Sequence, residues 1–272
     1  MTRNNLLEGD CMLAGVYHLW DFECEPENPM ISYYKPEEKI SDWSVVIFPG
    51  GGYSHRAEHE GKGYAEFLNA NGIAAFVVDY RVSPNRFPAE LSDARRGIRF
   101  VRNRAEEFGI RKDKIAVMGS SAGGHLAALV SNYKEELPGE PFDIIDEEDY
   151  LPNAQILCYP VIRVTPDFGH TGSGKNLLGE DYEKLAEQFN LDGMVTEHTP
   201  PAFIWHTFND GGVSVLNSLS YTEALYRHKV PTELHVFPEG PHGLGLANAE
   251  PRINPHVAQW SELLIQWMKQ LS

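Results

Sequence analysis

Short β-type runs alternate with amphipathic helical segments along most of the chain, and this order constrains its fold more than any other feature. It is typical of a mostly parallel sheet whose two faces are covered by helices. The predicted strands are 15–21, 30–34, 44–48, 73–79, 114–118, 155–159, 202–207 and 232–237. The predicted helices are 61–71, 89–108, 121–133, 217–228 and 255–270. Because no helix follows either of the first two strands, we expect them to form an antiparallel edge.

One of the strand-to-helix junctions contains a serine between glycines. The fifth predicted strand leads into Gly119-Ser120-Ser121-Ala122-Gly123, a G-x-S-x-G pattern, and a helical run follows it. A serine hydroxyl becomes an effective nucleophile when a sharp turn exposes it and amide N–H groups face the oxyanion that forms. Ser121, rather than Ser120, has a glycine two residues away on both sides. We therefore predict that Ser121 is a nucleophile; the alternative is an ordinary Ser/Gly turn.

A nucleophilic serine needs a base and a group that orients the base, and two later strands end beside candidates. Asp210 follows the seventh predicted strand and His242 follows the eighth. Like Ser121, both lie just past the carboxyl end of a strand, where open α/β sheets bind ligands. The order Ser121, Asp210, His242 predicts a catalytic triad. Taken singly, Asp210 could be a turn former and His242 an unpartnered loop histidine. His235 and His256 are competing bases, but they are predicted mid-strand and at a helix start.

The loop after the strand 44–48 can supply backbone donors, because three consecutive glycines follow that strand. Glycine lets backbone N–H groups approach a ligand closely. We predict an oxyanion hole formed by the N–H groups of Gly51, Gly52 and Ala122. Pro49 stands where esterases with an HGGG-type loop carry histidine. The alternative is a flexible glycine turn.

Two further patterns resemble metal and phosphate sites. His55 to His59 match H-x-x-E-H, the pattern of one class of zinc peptidases, but a metal site there requires a helix, and this segment directly follows the glycine-rich loop. The segment 169–176 resembles a phosphate-binding loop, but Asn176 stands where Ser or Thr holds Mg²⁺. We therefore predict no metal and no cofactor. The residues assigned instead to substrate binding are Tyr53, His55, His59 and Glu60.

Charge and composition restrict the partners. Lys and Arg total 23 against 39 Asp and Glu, for a formal net charge of −16. Such a surface argues against nucleic acid and anionic membranes as partners. No stretch approaches the roughly 20 apolar residues of a membrane span, and the first residues lack the apolar core of a signal peptide. The three cysteines, Cys11, Cys24 and Cys158, form no C-x-x-C pair. We expect a cytoplasmic protein with reduced cysteines.

Two segments interrupt the alternation of strands and helices. The segment 134–152 is acidic and contains proline, and we interpret it as a surface excursion. The segment 163–200 is long for a connection between strands. We interpret it as a small cap-like insertion near the active-site mouth, so that 1–272 forms a single domain. A set of arginines in the second predicted helix is interpreted as a solvated face; it comprises Arg95, Arg96, Arg99, Arg102 and Arg104.

Several motifs in this order resemble the carbohydrate-esterase branch of the α/β-hydrolases, whose members include acetyl xylan and feruloyl esterases. They lie at 49–55, 79–82, 119–127, 205–207 and 235–245. The resemblance implies an α/β-hydrolase fold with a sheet of about eight strands and the same triad and oxyanion-hole residues as above. The chain departs from the family at 210–214, where D-G-G-V-S replaces D-x-x-V-P. Losing the proline and gaining two glycines could loosen the loop that carries Asp210, with either reduced activity or a displaced Asp210 as the consequence; whether activity falls is left open.

Together these features predict a serine carboxylesterase that hydrolyses small acyl esters of the acetyl type, carried by a carbohydrate, through an acyl-enzyme. The short insertion offers no large apolar lid, which disfavours long-chain lipids. Two alternatives stay open: a serine peptidase-like hydrolase with the same triad, and a non-catalytic ligand-binding protein on the same fold. The oligomeric state, including a homo-oligomer, is also left open.

Overall fold

The computed structural model describes residues 12–20, 29–137 and 143–271. The strands in these ranges are β1 (Met12–His18), β2 (Met30–Lys35), β3 (Ser44–Phe48), β4 (Ala74–Asp79), β5 (Ile115–Ser120), β6 (Ala154–Cys158), β7 (Ala202–Thr207) and β8 (Thr232–Phe237). The α-helices are α1 (Glu58–Ala70), α2 (Ala89–Asn103), α3 (Ala105–Phe108), α4 (Ser121–Asn132), α5 (Thr171–Leu178), α6 (Tyr182–Leu185), α7 (Leu216–Arg227) and α8 (Gln259–Gln270). Cys11 and Cys24 lie outside the described residues, as does the end of the first predicted strand; Cys158 is a buried free thiol.

The strands form one open sheet in the order β1-β2-β4-β3-β5-β6-β7-β8. β2 is antiparallel to both β1 and β4, and strands β3 to β8 run parallel. This confirms the predicted mostly parallel sheet with an antiparallel edge. Because β5, β7 and β8 run parallel, their carboxyl ends meet at one edge of the sheet. The loops that follow these strands can therefore share a site.

Both faces of the central strands are buried, and β3 shows why such a strand is apolar throughout. Val45 and Ile47 pack into one core cluster, with α1 and α8, while Val46 and Phe48 pack into the other, with α2, α4 and α7. Successive side chains of a strand point to opposite faces, so a strand covered on both sides needs a continuous apolar run. Within the described residues, no helix combines the length and apolar character needed to span a bilayer.

The helix predicted over 89–108 is divided in two in the structure. α2 ends at Asn103, Arg104 leaves the helical conformation, and the short α3 follows; Gly109, with φ of +63°, ends it. The last helix also begins later than predicted, at Gln259, because residues 255–258 form a turn. Helix ends are the least certain part of a sequence pattern, since propensity changes little across them.

The interpretation of the α2 arginines as a solvated face is wrong for much of the set. Arg95, Arg96 and Arg102 are buried. Arg96 pairs with Asp143 at 2.6 Å and with Asp146 at 2.9 Å. The other two donate to backbone carbonyls, including those of 133, 135 and 151. The acidic segment predicted as a surface excursion therefore covers these side chains and is anchored by them, because a buried guanidinium requires acceptors for its N–H groups.

The insertion packs into the core of the domain. It contains α5, α6 and short 3₁₀ turns at Gly179–Asp181, Ala186–Phe189 and Leu191–Gly193. Leu177, Phe189 and Leu191 are buried in the same cluster as the helices α2 and α4. Because its apolar side chains are already buried within the domain, the insertion presents no large apolar surface of its own above the sheet.

Candidate active site

Ser121 lies at the sharp turn between β5 and α4. Its φ is +52°, in the left-handed region that non-glycine residues rarely adopt. The flanking glycines make this turn sterically possible. A Cβ on Gly119 would lie 2.1 Å from the carbonyl oxygen of Gly123, and one on Gly123 would lie 2.0 Å from the carbonyl oxygen of Phe48. The G-x-S-x-G spacing is therefore required by backbone packing on both sides of the serine.

The structure brings the three predicted triad residues into one hydrogen-bonded chain. Ser121 Oγ lies 2.8 Å from His242 Nε2, and His242 Nδ1 lies 2.8 Å from Asp210 Oδ2. A carboxylate can only accept, so the proton of neutral His242 resides on Nδ1 and the Nε2 lone pair faces the serine hydroxyl. This is the tautomer that a general base needs.

Asp210 is held firmly although two glycines follow it. Its Oδ1 accepts hydrogen bonds from the N–H groups of Gly212 and Val213, at 2.8 and 2.9 Å. Burial raises the pKa of Asp210, but the nearby His206 and the hydrogen bonds from His242 and the Val213 N–H outweigh it and hold that pKa well below its usual value. A Cβ on Gly212 would lie 2.8 Å from His242 Cβ. The glycine therefore permits close approach of the acid loop (208–214) to the histidine.

The glycine-rich segment 49–53, here called the oxyanion loop, lies beside the serine. Gly51 and Gly52 have φ values of +131° and +64°. A Cβ on Gly51 would lie 2.2 Å from the carbonyl oxygen of His55. Ala122 is in the first turn of α4, where backbone N–H groups have no intrahelical acceptor. The three predicted donors thus belong to two backbone segments that meet at Ser121.

The missing histidine of the HGGG-type motif is replaced by other contacts to the oxyanion loop. The Tyr80 hydroxyl donates to the carbonyl oxygen of Pro49 at 2.6 Å. The Asn176 side chain, in α5, donates to the carbonyl oxygen of Gly52 at 2.8 Å. Asn176, the mismatch in the phosphate-loop pattern, therefore joins the insertion to this loop. No sequence signal indicates either contact, because both join segments far apart in the chain.

Two residues predicted to bind substrate are buried, so their side chains cannot make that contact. Tyr53 is fully buried, and its hydroxyl lies 2.8 Å from His125 Nδ1. Glu60 is 3% exposed; its carboxylate accepts from the Gly50 N–H at 2.9 Å and from the Tyr159 hydroxyl at 2.6 Å. The sequence correctly places these residues close to the oxyanion loop. It does not show that their side chains point inward, away from a substrate.

The other two residues predicted to bind substrate are accessible to different extents. His55 is exposed, and its Nδ1 lies 3.1 Å from Ser54 Oγ. His59 is partly exposed, and its Nε2 lies 3.0 Å from the carbonyl oxygen of Gly243. α1 begins at Glu58, so His55 precedes the helix that an H-x-x-E-H metal site requires. Across the described residues there is no group of three or more His, Cys, Asp and Glu side chains suited to a metal ion.

His170, in the insertion, was not among the residues predicted for the site. It caps α5: its Nδ1 accepts from the Ser173 N–H at 3.1 Å and lies 2.8 Å from Ser173 Oγ. Burial lowers the pKa of His170, and a protonated His242 would lower it further. The only sequence signal was its position in the insertion predicted near the active-site mouth.

Comparison with known proteins identifies the family of the chain. A sequence profile of the family described as BD-FAE matches residues 31–225, which is most of the chain. The chain belongs to the BD-FAE family of α/β-hydrolase esterases. This confirms the family resemblance predicted from the motifs.

Curated relatives of this BD-FAE chain are longer than it is. The protein named endo-1,4-beta-xylanase B, from Butyrivibrio fibrisolvens, is 34% identical over 82% of this chain and 35% of its own length. The protein named acetylxylan esterase, from Xylanibacter ruminicola, is 35% identical over 81% of this chain and 42% of its own length. The match thus covers less than half of the length of either relative.

A solved structure matches the BD-FAE chain over nearly its whole length. It is named acetyl ester-xyloside bifunctional hydrolase and comes from Caldicellulosiruptor lactoaceticus. It is 39% identical, with a TM-score of 0.87, and the match covers 97% of this chain and 98% of that one. The fold described above is therefore that of a known family of ester hydrolases.

Proposed function

We propose that this protein is a serine carboxylesterase that cleaves short acyl esters through an acyl-enzyme. The observation that carries the proposal is the hydrogen-bonded chain from Ser121 through His242 to Asp210, with both links at 2.8 Å. It lies beside two glycines in left-handed backbone and the start of a helix. This supports the proposal, because acyl transfer requires a nucleophile, a base, an orienting acid and oxyanion donors around one point.

Each residue has a defined role in the proposed reaction. His242 Nε2 removes the proton of Ser121 as Oγ attacks the ester carbonyl, and Asp210 stabilises the imidazolium that forms. The N–H groups of Gly51, Gly52 and Ala122 stabilise the oxyanion. His242 then protonates the leaving alcohol. A water molecule, activated by the same base, hydrolyses the acyl-enzyme and regenerates the serine.

We propose that the substrate is an acetylated sugar. Two similar proteins are named for acetyl ester chemistry, the acetylxylan esterase and the acetyl ester-xyloside hydrolase. The insertion supports a small acyl group, because its apolar side chains are buried in the domain rather than offered to a long acyl chain. A neutral sugar also suits a chain with a net charge of −16, which would repel an anionic substrate.

Covalent labelling with a fluorophosphonate probe tests the nucleophile. The wild-type protein should be labelled at Ser121, and Ser121→Ala should not be labelled and should lose hydrolysis of p-nitrophenyl acetate. The neighbouring Ser120→Ala is the matched control for the site of labelling, since Ser120 Oγ faces the Tyr64 hydroxyl at 2.8 Å rather than His242. An unlabelled wild-type protein would contradict the proposal and favour the ligand-binding alternative.

The substrate class is tested by comparing the rates of hydrolysis of esters with different alcohols and acyl chains, and of amides. We expect hydrolysis of p-nitrophenyl acetate and acetylated xylo-oligosaccharides, a fall in kcat/KM as the acyl chain lengthens, and little action on aminoacyl-naphthylamides. A preference for the amides would favour the peptidase-like alternative. Equal rates on acetyl and long-chain esters would overturn the assignment of a small acyl site.

A further inference from the structure

Glu60 occupies a buried position between two loops of the active site. One carboxylate oxygen accepts the N–H of Gly50 at 2.9 Å, in the oxyanion loop. The other accepts the hydroxyl of Tyr159 at 2.6 Å. A Cβ on Gly50 would lie 2.4 Å from the same carboxylate, so loop and side chain are in close contact. Glu60 is 3% exposed and therefore acts on these partners without competition from solvent.

Tyr159 extends this contact to the histidine loop, residues 241–245. Its hydroxyl accepts the N–H of Gly245 at 2.9 Å while donating to Glu60. The ring of Tyr159 lies edge-on to the ring of His242, with 5.1 Å between centroids. The residue itself has a φ of +36°, a strained conformation that surrounding contacts must maintain. One hydroxyl thus links the glutamate to the loop that carries the base.

His59 supplies a second contact from the same helical turn. Its Nε2 lies 3.0 Å from the carbonyl oxygen of Gly243, and a carbonyl can only accept, so the imidazole donates. Adjacent residues at the start of α1 therefore hold both ends of the segment that follows His242. Neither side chain reaches Ser121, so both would act through the loops they hold.

We propose that His59 and Glu60 are positioning residues that set the oxyanion loop and the histidine loop relative to one another. This inference rests on the proposed function and assigns a role to a pair that lies within the H-x-x-E-H segment and directly after it. Small errors in the separation of donors and base are costly, because a displacement of about 1 Å can reduce turnover about 100-fold. The Glu60 carboxylate limits that separation because it is bonded to both loops. It accepts the Gly50 N–H of the oxyanion loop directly, and it is linked through the Tyr159 hydroxyl to the Gly245 N–H of the histidine loop.

The test compares Glu60→Leu, which removes both acceptors, with Glu60→Gln, whose single oxygen can still accept the Gly50 N–H. Rates are expressed per active site, titrated with the fluorophosphonate, so that unfolded protein does not count. We expect Glu60→Leu to lower kcat for p-nitrophenyl acetate about 100-fold with little change in KM, and Glu60→Gln to restore most of that loss. The exposed Glu58→Gln in the same turn is the control and should match the wild type.

Tyr159→Phe tests the link from Glu60 to the histidine loop, and it keeps the proposal testable if Glu60→Leu does not fold. It preserves the ring against His242 and the bond from Glu60 to Gly50, and we expect kcat per site to fall about tenfold. Wild-type kcat in Tyr159→Phe, or Glu60→Gln no better than Glu60→Leu, would overturn the inference. An unlabelled wild-type protein would instead defeat the proposed function, so the two failures are distinguishable.

Discussion

Asp210 shows how single residues determine this site. Its carboxylate accepts from two backbone N–H groups through Oδ1 and from His242 through Oδ2. His206, fully buried at the end of β7, lies 3.4 Å from Oδ2 and donates to the carbonyl oxygen of Val213. Sequence comparison alone suggested a loosened loop at this point. In the structure the loop is held by these contacts, and Gly212 allows it to approach the histidine.

We predict that Asp210→Asn lowers kcat about 10⁴-fold. The asparagine amide can donate to Nδ1, which would favour the tautomer with its proton on Nε2 and remove the base facing Ser121. Steady-state kinetics on p-nitrophenyl acetate checks this, with Asp181→Asn, an exposed aspartate of the insertion, as the control. A loss below about tenfold would mean that another group orients His242.

Residues that follow strand ends could be predicted from the sequence, and buried supporting residues could not. Ser121, Asp210 and His242 each come shortly after a β-type run, and the topology of a parallel sheet brings such positions to one edge. Tyr53 lies shortly after β3 and Glu60 lies in the first turn of α1, yet both point inward. Side-chain direction in a loop depends on contacts with distant segments, such as His125 for Tyr53, and periodicity carries no information about these.

At the scale of elements, the junction of β5 and α4 depends on the absence of a side chain at Gly123. A Cβ there would lie 2.0 Å from the carbonyl oxygen of Phe48 and 2.6 Å from that of Pro49. These are backbone atoms of β3 and the oxyanion loop, so they cannot move aside as a flexible side chain can. The start of α4 would have to shift away from the loop it faces.

We predict that Gly123→Ala lowers kcat by at least about 100-fold and destabilises the fold by about 1–3 kcal/mol. The matched control is Gly63→Ala in α1, where a Cβ meets nothing within 4 Å. That change should leave activity intact and stabilise the protein by about 0.5–1 kcal/mol, because alanine favours a helix over glycine. Wild-type activity in Gly123→Ala would show that the junction tolerates a shift of α4.

The burial of arginines on α2 also depends on how elements pack together. Several arginines spaced along a predicted helix are typical of a solvated surface, and only the fold brings the segment 143–151 onto Arg95, Arg96, Arg99 and Arg102. Arg96 is 1% exposed and pairs with Asp143 and Asp146 on that segment. The two stretches are separated by about fifty positions in the chain, so local pattern could not reveal the pairing. Tertiary contacts bury these arginines, and their charges anchor the acidic segment instead of facing solvent.

For the molecule as a whole, two buried groups titrate in opposite directions. Burial lowers the pKa of His125 from 6.5 to about 4, so the folded state binds fewer protons than the unfolded state in that interval. Burial raises the pKa of Glu90 from 4.5 to about 8, so there the folded state binds more. Neither carboxylate oxygen of Glu90 finds a hydrogen-bond partner among the described residues.

The signs follow from proton linkage. The contribution of neutral His125 is fully present above pH 6.5 and is lost as the pH falls toward about 4. The contribution of protonated Glu90 is fully present below pH 4.5 and is lost as the pH rises toward about 8. From 4.5 to 6.5 the two slopes cancel. Between 6.5 and 8 only the Glu90 slope remains, so this carboxyl makes the fold weaken in mildly alkaline solution.

We predict that Glu90→Gln removes this loss. The difference in unfolding free energy between variant and wild type should grow by about 1.6 kcal/mol from pH 6.5 to pH 8, because the slope of about 1.4 kcal/mol per pH unit falls to half at the folded pKa. Urea unfolding at 25 °C across that range measures it, and the exposed Glu106→Gln should run parallel to the wild type. Parallel curves for Glu90→Gln would mean that Glu90 is already ionised in the folded protein. The Glu90 carboxylate would then be a buried anion close to Tyr53 and Tyr80. Burial raises the pKa values of both tyrosines, and the charge of Glu90 raises them further.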